Sequence, residues 1–350
     1  MQEIKPSLIR VGILGAGRVT KRHADAMSRM AGIQLAAIAD PAPDAALRLA
    51  EPYGARALSD GREILEDPAI DVVYICTPHH LHHPQAMAAL CNGKHVFIEK
   101  PMANTVEECR AINREARERG LLVAVGHQQR YLPHNRRLRE LLYDGVIGEL
   151  RMITDHLVVN NEWERRAPWW KSKATAGGGM MMNLGVHQID RCLWLAPAPP
   201  RSLYARVRCG LPELDVDTDY SLLLEMEDGV TLNLIGTSYP CKAEFRLDVI
   251  GTRGRLSVDL IGETLQWSAA GESRVEHLPS SEAVIEEMTT HFLEGVRNGT
   301  APGVDGVWGE GVIACAHLAY RSAEEGTVLP VGGEIAAPVS ALHREPLSVQ

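Results

Sequence analysis

The first 126 residues alternate short β-branched, apolar runs with helical stretches, and this alternation constrains the fold more than any other feature of the chain. It is typical of βαβ units, in which helices cover both faces of a parallel sheet. The predicted strands are 8–14, 33–39, 71–77, 94–98 and 121–126. The predicted helices are 18–31, 42–51, 82–92 and 104–119, the last beginning after Asn104 and Thr105 and ending at Gly120. The sequence therefore predicts a doubly wound parallel α/β sheet.

Beyond residue 148 the pattern changes to hairpins. Apolar and polar side chains alternate on both sides of Asp228-Gly229, and residues 246–260 alternate around a second turn that contains glycine. Such hairpins build an antiparallel sheet. Two helical stretches follow, at about 281–298 and 307–325. The second part of the chain is therefore predicted to be of the α+β class.

The size and charge of the chain limit its domain count and its partners. With 350 residues, 45% of them hydrophobic, it can bury the cores of two domains. We predict a nucleotide-binding domain over 1–126, an α+β domain over 127–335 and a loosely held tail over 336–350. The net charge of -9 repels polyanions, and aromatic residues at 5% offer few stacking platforms. No nucleic-acid partner is expected.

The cysteines and the apolar pattern bear on the cellular location. The seven cysteines form no CxxC pair and fall mostly in apolar segments, which predicts reduced thiols in the core. The N-terminal residues run straight into a strand pattern without the features of a signal peptide. No run of about 18 apolar residues is present. We expect a cytoplasmic protein with no membrane partner.

A glycine loop follows the first predicted strand. Gly15 and Gly17 precede a helix, where backbone amides can approach a pyrophosphate, although Thr20 stands where the usual motif has its third glycine. Asp40 ends the second predicted strand and can accept hydrogen bonds from both ribose hydroxyls of NAD. Its carboxylate would repel a 2′-phosphate, and no arginine lies nearby before Arg48. The loop therefore predicts a dinucleotide site that prefers NAD over NADP.

Further motifs appear in order along the chain. Thr77-Pro78 follows one predicted strand and Glu99-Lys100-Pro101 follows the next, and VGHQQRYLP and GGGMMMNLGVHQID come later. With these motifs the chain resembles the Gfo/Idh/MocA family of oxidoreductases from the glycine loop to the last helix. The resemblance implies a Rossmann domain followed by an α+β domain whose open, mainly antiparallel sheet backs the active site. It also implies a homodimer or homotetramer that assembles through this sheet.

The resemblance implies NAD-dependent hydride transfer to or from a secondary alcohol or ketone of a sugar, an inositol or a related cyclic polyol. A cyclic dihydrodiol is a further substrate option. The residues expected to bind the cofactor, from the loop and the resemblance together, are Gly15, Gly17, Arg18, Val19, Asp40, Thr77, Pro78, His79, His82, Glu99 and Lys100.

Oxidising an alcohol by hydride transfer requires a base that takes the hydroxyl proton. Lys100 is well placed for this role because it ends the fifth predicted strand, at the sheet edge where doubly wound folds bind ligands. The resemblance implies a cis bond before Pro101 and a role for His187 as proton acceptor. Asn183 lies four residues before His187, on the same helical face. In the inositol dehydrogenase branch this position is typically aspartate. Because asparagine cannot take a proton, Asn183 is predicted to hydrogen-bond a substrate hydroxyl. The resemblance to sugar-oxidising members with asparagine at this position favours a pyranoside or a nucleotide sugar as the substrate.

Several polar and aromatic residues flank the presumed substrate site and could stack on a sugar ring or hold a carboxylate. These residues are Gln128, Arg130, Trp169, Trp170, Lys171 and Lys173. The alternative for each is ordinary surface or sheet packing. A histidine cluster, His79, His80, His82 and His83, is interpreted as part of the cofactor enclosure, and no metal site is predicted because no carboxylate or cysteine adjoins it.

Two other functions remain open at this point. A ligand-sensing regulator of the same fold would bind nucleotide without turnover and would need no intact proton relay. A glycosidase with permanently bound NAD would use transient oxidation to break a glycosidic bond. Release of a leaving group without net NADH would identify the second of these.

Overall fold

The computed structural model describes residues 8–279, 283–333 and 335, so the predicted tail over 336–350 lies outside the described residues. The described residues divide into two compact units, which we treat separately. The first unit contains those of 1–128 and 281–309, and the second contains those of 129–280 and 310–350.

The helices and strands of both units are numbered in chain order. The helices are α1 (Arg18–Ser28), α2 (Pro43–Ala50), α3 (Arg62–Leu65), α4 (His82–Cys91), α5 (Val106–Arg119), α6 (Pro133–Tyr143), α7 (Lys173–Ala176), α8 (Val186–Leu195), α9 (Ala283–Asn298) and α10 (Gly306–Glu325). The strands are β1 (Ile9–Leu14), β2 (Ile33–Ala39), β3 (Arg56–Leu58), β4 (Val72–Ile75), β5 (His95–Ile98), β6 (Val123–Val125), β7 (Leu150–Val158), β8 (Pro200–Arg208), β9 (Asp219–Met226), β10 (Thr231–Thr237), β11 (Glu244–Gly251), β12 (Gly254–Asp259), β13 (Thr264–Ala269), β14 (Glu272–His277) and β15 (Leu329–Pro330).

The described part of the first unit contains a parallel sheet with the strand order β3-β2-β1-β4-β5-β6. The order reverses between β1 and β4, as in doubly wound folds. Every residue of β4 and β6 is buried, as expected for strands that are covered on both faces. This sheet confirms the predicted Rossmann architecture.

The predicted elements of this unit agree with the structure, with two omissions. Helix α5 begins with a capping box in which Thr105 accepts from the Glu108 amide, and it ends at Gly120 in the left-handed region (φ 65°). Strand β3 and helix α3 were not predicted. They span three and four residues, which is too short for a period to show in the sequence.

Helix α9 belongs to the first unit, although it lies far along the chain. Its Glu286 forms an ion pair with Arg29 at the end of α1, at 2.7 Å, and its Thr289 lies 3.2 Å from the ring of His23. The predicted domains over 1–126 and 127–335 would place this helix in the second domain. An amphipathic helix shows that it has an apolar face, but not which distant surface covers that face.

In the second unit the described strands form a mixed sheet with the order β14-β13-β12-β11-β7-β10-β9-β8-β15. Strands β7 and β10 are parallel, and the other neighbours are antiparallel. The predicted hairpin is present, with Gly229 at φ 83° in the turn between β9 and β10. This sheet confirms the predicted α+β class of the second part.

The cysteines differ from the prediction. Cys91, Cys209 and Cys241 are exposed, whereas Cys109 is among those that are buried. An apolar run in the sequence therefore does not guarantee that a cysteine within it faces the core. None of the helices in the described ranges combines the length and apolar character needed to cross a membrane.

Candidate active site

The glycine loop joins β1 to α1 by a close approach of two backbone segments. Gly15 has φ 93°, and a Cβ at this position would lie 2.6 Å from the carbonyl oxygen of Cys76, so only glycine fits. Thr20, which replaces the third glycine of the usual motif, is buried and donates its hydroxyl to the Gly15 carbonyl at 2.8 Å. The threonine therefore holds the loop from within.

Gly17 leaves room for a ligand. It caps α1 without a side-chain hydrogen bond, and no heavy atom of the described residues lies within 4 Å of where its Cβ would be. The first amides of a helix without a side-chain cap can donate to an anion, and the helix dipole favours negative charge there. Arg18 is exposed and Val19 is half-buried beside this space. The loop therefore fits the pyrophosphate of a dinucleotide.

Asp40 lies beside the glycine loop. It follows β2, and its carboxylate oxygens accept hydrogen bonds from the amides of Ala16 and Ala42, at 2.8 and 2.9 Å. Each carboxylate oxygen can accept more than one hydrogen bond. Asp40 is therefore held in place with capacity left for ribose hydroxyls.

Two of the histidines after β4, His79 and His82, are buried, and His82 contacts the backbone of two loops. His82 is buried, and its ring nitrogens lie 2.8 Å from the carbonyl oxygens of Thr77 and Pro101. Burial lowers the pKa of His82, although these two contacts oppose the shift. Through these contacts His82, which is predicted to contact the cofactor, joins the loop after β4 to the loop after β5. His79 is buried beside it, with ring centroids 5.7 Å apart.

Lys100 lies at the carboxyl end of β5. It is half-buried, and the Lys100-Pro101 peptide bond is cis, which confirms the expectation from the resemblance. Because β5 pairs in parallel with β4 and β6, Lys100 and Thr77 extend from the same edge of the sheet as the glycine loop. The predicted cofactor residues of this edge that keep exposed or half-buried surface are Gly17, Arg18, Val19, Asp40, Thr77, Pro78, Glu99 and Lys100.

The histidine cluster has no metal-like arrangement. Within the part of the chain that the structure describes, no group of three or more histidine, cysteine, aspartate or glutamate side chains is placed to hold a metal ion.

In the second unit, Asn183 and His187 flank a change in helix type. Met181–Gly185 forms a π-helical turn that continues into α8, and Asn183 lies within it. Asn183 and His187 are 6% and 5% exposed. Such turns occur frequently at functional sites, where they change the direction in which side chains project.

A buried carboxylate holds the start of this segment. Asp217 accepts hydrogen bonds from the amides of Gly179 and Met181, both at 2.7 Å, and from the hydroxyl of Tyr320 at 2.6 Å. A Cβ at Gly179 would overlap the Asp217 carbonyl, which explains a glycine there. Burial raises the pKa of the Asp217 carboxyl even though these donors oppose it. Nothing in the sequence identified Asp217 or Tyr320 as the partners of this glycine run.

Helix α8 is fixed to the sheet by buried charges. Arg191 donates from Nε and Nη2 to the two carboxylate oxygens of Asp155 on β7, at 2.5 and 2.6 Å, and both side chains are buried. Gln188 donates to the same carboxylate at 2.6 Å and contacts the hydroxyl of Tyr220. Bidentate pairing of this kind sets the rotation of a helix as well as its position.

Arg130, predicted to contact substrate, forms a second buried ion pair. Its Nε and Nη2 donate to one oxygen of Asp190 on α8, at 2.9 and 2.6 Å. Its charge is thus compensated inside the second unit by Asp190, and the direct substrate contact of Arg130 stays a prediction. A buried aspartate 60 residues away along the chain gave no local signal.

The remaining predicted substrate residues have varied surroundings. The side-chain oxygen of Gln128 is buried and makes no hydrogen bond to the described residues, so it can accept one from a ligand. Trp169 and Trp170 stack on each other with centroids 4.2 Å apart. Lys171 donates to the carbonyl of Glu164 at 3.3 Å, and Lys173 is exposed with its amine over the ring of Tyr320.

Comparisons with known proteins agree with this geometry. Residues 9–127 match the domain model described as "Oxidoreductase family, NAD-binding Rossmann fold", and residues 135–257 match the "GFO/IDH/MocA C-terminal domain". The chain is 28% identical over 306 residues to scyllo-inositol 2-dehydrogenase (NAD(+)) of Bacillus subtilis, covering 84% of this chain and 88% of that protein. It is 24% identical over 332 residues to myo-inositol 2-dehydrogenase of Thermotoga maritima, covering 91% and 97%.

Among solved structures, levoglucosan dehydrogenase in complex with NADH and L-sorbose has the same fold, with a TM-score of 0.88 and 22% identity over 93% of this chain and 99% of that one. The chain is an oxidoreductase with an NAD-binding Rossmann domain. It belongs to the Gfo/Idh/MocA family. This confirms the predicted family and the predicted enzyme class, a dehydrogenase that acts on CH–OH groups.

Proposed function

We propose that the protein oxidises a secondary alcohol of a sugar, an inositol or a related cyclic polyol with NAD, or catalyses the reverse reduction. The observation that carries this proposal is the position of Lys100 at the sheet edge that also bears the glycine loop and Asp40. The names of the inositol dehydrogenases and of levoglucosan dehydrogenase support this substrate class.

In this proposal each site residue has a defined role. Gly15 and Gly17 shape the loop whose amides bind the phosphates, and Asp40 binds the ribose. NAD, when bound, supplies the hydride acceptor. Lys100 takes the proton of the substrate hydroxyl, while His187 and Asn183 hydrogen-bond the substrate. Asparagine at 183 cannot exchange a proton, so its role is to hydrogen-bond a substrate hydroxyl. The resemblance to sugar-oxidising members of the family with asparagine at this place favours a pyranoside or a nucleotide sugar over free inositol.

A substrate panel tests the proposal. The protein is incubated with NAD and with inositols, free sugars, glycosides, nucleotide sugars and cyclic dihydrodiols, and absorbance is followed at the reduced-nicotinamide band. Turnover with at least one polyol-like compound is expected. Tight NAD binding without turnover would contradict the proposal in favour of a ligand sensor. Cleavage of a glycoside without net NADH would favour the glycosidase with bound NAD.

Asp40 is proposed to select NAD over NADP. Replacing Asp40 with alanine removes the ribose acceptor and the negative charge that repels a 2′-phosphate, so NAD affinity should fall about tenfold and the ratio of kcat/KM for NADP to that for NAD should rise. Cofactor titration and initial rates measure both effects. Asp44→Ala, an exposed carboxylate in the first turn of α2, serves as the matched control and should leave the ratio unchanged. An unchanged ratio in Asp40→Ala would remove Asp40 from the cofactor site.

The second unit is proposed to carry the contact of a homodimer or homotetramer. One face of its sheet exposes Met152, Leu223, Ile235 and Ile250. Met152 and Ile250 are direct neighbours across β7 and β11, and the strand registers place the other two on the same face. Several exposed apolar side chains on one face of a sheet are typical of a protein interface.

A further inference from the structure

Glu99, the residue before Lys100, is largely buried and hydrogen-bonded. The side chain of Glu99 is 14% exposed, and its Oε1 lies 2.9 Å from Nε2 of His23, a fully buried residue on α1. A charge-assisted hydrogen bond of this kind, made inside the protein, fixes both the position and the orientation of the carboxylate. Glu99 was predicted as a cofactor contact, whereas no sequence pattern distinguished His23.

The ring of His23 is itself held on several sides. Its Nδ1 lies 3.2 Å from the hydroxyl of Thr289, a buried residue on α9. The rings of Tyr74 on β4 and Phe97 on β5 pack edge-on against it, with centroids 5.2 and 5.1 Å away. The imidazole therefore cannot turn away from Glu99 without breaking contacts with three other elements.

Gly126 also lies close to the Glu99 carboxylate. A Cβ at this position would lie 3.0 Å from the carboxyl carbon of Glu99, closer than a normal contact. The Gly126 amide donates to the Ile98 carbonyl at 2.8 Å, so the backbone there is fixed as well. The residue next to β6 thus leaves just enough space for the Glu99 side chain.

Burial and the neighbouring charges have opposite effects on the pKa of the Glu99 carboxyl. Burial raises the pKa of the Glu99 carboxyl, but the hydrogen bond and charge of His23 and the charge of Lys100 outweigh burial, so the pKa lies below its ordinary value. Glu99 is therefore a carboxylate near pH 7. A Coulomb interaction is mutual, so this carboxylate favours the protonated form of Lys100.

Other titratable groups around Glu99 are His82 on α4 and Cys76 at the end of β4. Burial lowers the pKa of His82 and raises that of Cys76. The ion pair of Arg29 and Glu286, between α1 and α9, is exposed to solvent and screened. Glu99 directly precedes Lys100 in the chain, and the charge of Lys100 is one of those that lower the pKa of the Glu99 carboxyl.

We propose that His23 and Thr289 are positioning residues that hold the Glu99 carboxylate beside Lys100 and thereby set the pH at which Lys100 exchanges its proton. This inference rests on the proposed function, which assigns the proton transfer to Lys100. Neither His23 nor Thr289 needs to touch the substrate for this role.

The test is the pH profile of kcat/KM for alcohol oxidation, which rises with pH as the Lys100 amine loses its proton. In His23→Leu the buried carboxylate loses the donor that fixes its position and stabilises its charge, so its effect on Lys100 weakens. The rising limb should move to lower pH by about 0.5 to 1 unit. Glu99→Gln should move it in the same direction, and His23→Leu should add no further shift in the Glu99→Gln background.

Conservative and control variants separate this role from a structural one. His23→Gln keeps an N–H donor and should restore the profile to within about 0.3 pH unit of the parent. Thr289→Val, the milder change should His23→Leu not fold, removes the partner of Nδ1 and should give a smaller shift in the same direction. Glu286→Gln breaks an exposed contact between the same two helices and should leave the profile unchanged.

A second readout does not depend on turnover. The rate at which trinitrobenzenesulfonate labels Lys100, measured across pH by peptide mass spectrometry, reports the protonation of the amine directly. A shift in labelling without any substrate turnover would support this inference and contradict the proposed function. Turnover that depends on Lys100, with both profiles unmoved in folded His23→Leu, Thr289→Val and Glu99→Gln proteins, would overturn the inference alone.

Discussion

Replacing Lys100 with alanine is expected to lower kcat/KM for alcohol oxidation by about 10²- to 10⁴-fold, the usual contribution of a positioned general base. NAD affinity should stay within about tenfold of the parent, because the amine serves the substrate proton more than the phosphates. Initial rates and cofactor titration measure the two quantities separately. The expected pattern is a lost chemical step in a protein that still binds its dinucleotide.

Two controls define this result. Lys21→Ala removes an exposed amine of the same unit, whose surface ion pair with Asp25 spans one helical turn, and should leave both quantities unchanged. Lys100→Arg keeps a positive charge but supplies a group that stays protonated, so it should be nearly as inactive as Lys100→Ala. Loss of NAD binding in Lys100→Ala with little direct effect on turnover would contradict the role of base.

The second large effect concerns stability. Asp155→Ala leaves the buried guanidinium of Arg191 without its bidentate partner and deprives Gln188 of an acceptor. Removing one member of a buried ion pair usually costs about 3 to 5 kcal/mol, because a charge stays uncompensated away from water. Urea unfolding, followed by tryptophan fluorescence, should show a decrease of this size in the free energy of unfolding.

An exposed ion pair of the same second unit provides the comparison. Glu149→Ala removes the partner of Arg151, and both side chains are well exposed, so the change should stay within about 0.5 kcal/mol. The double variant Asp155→Leu with Arg191→Leu removes both buried charges and should recover much of the lost stability. A small effect of Asp155→Ala alone would show that water or another group reaches Arg191.

These two effects differ in how visible they were in the sequence. Lys100 follows a predicted strand within a recognisable motif, so both its place at the sheet edge and its proposed role could be predicted. Asp155 lies in strand β7, which was not predicted, and its partner is 36 residues away. No short-range pattern marks a buried ion pair between a strand and a helix that far apart.

The predicted site residues also divide into those whose geometry could be predicted from the sequence and those whose contacts could not. The glycine loop, Asp40 and the cis bond before Pro101 agree with the structure, because each depends on backbone geometry within a few residues. Arg130 and His82 make contacts that could not be predicted from the sequence. Each has buried partners, Asp190 for the one and two carbonyls for the other, that are made by folding.

By itself, the amino-acid sequence determined the doubly wound sheet, the dinucleotide loop and the hairpin at Asp228-Gly229. These depend on side-chain periodicity and turn chemistry, which act over a few neighbouring residues. The tertiary structure alone decided that α9 packs on α1, that Asp217 holds the glycine run before Asn183, and that His23 reaches Glu99. Such contacts join residues far apart in the chain, and burial selects them only when the whole core closes.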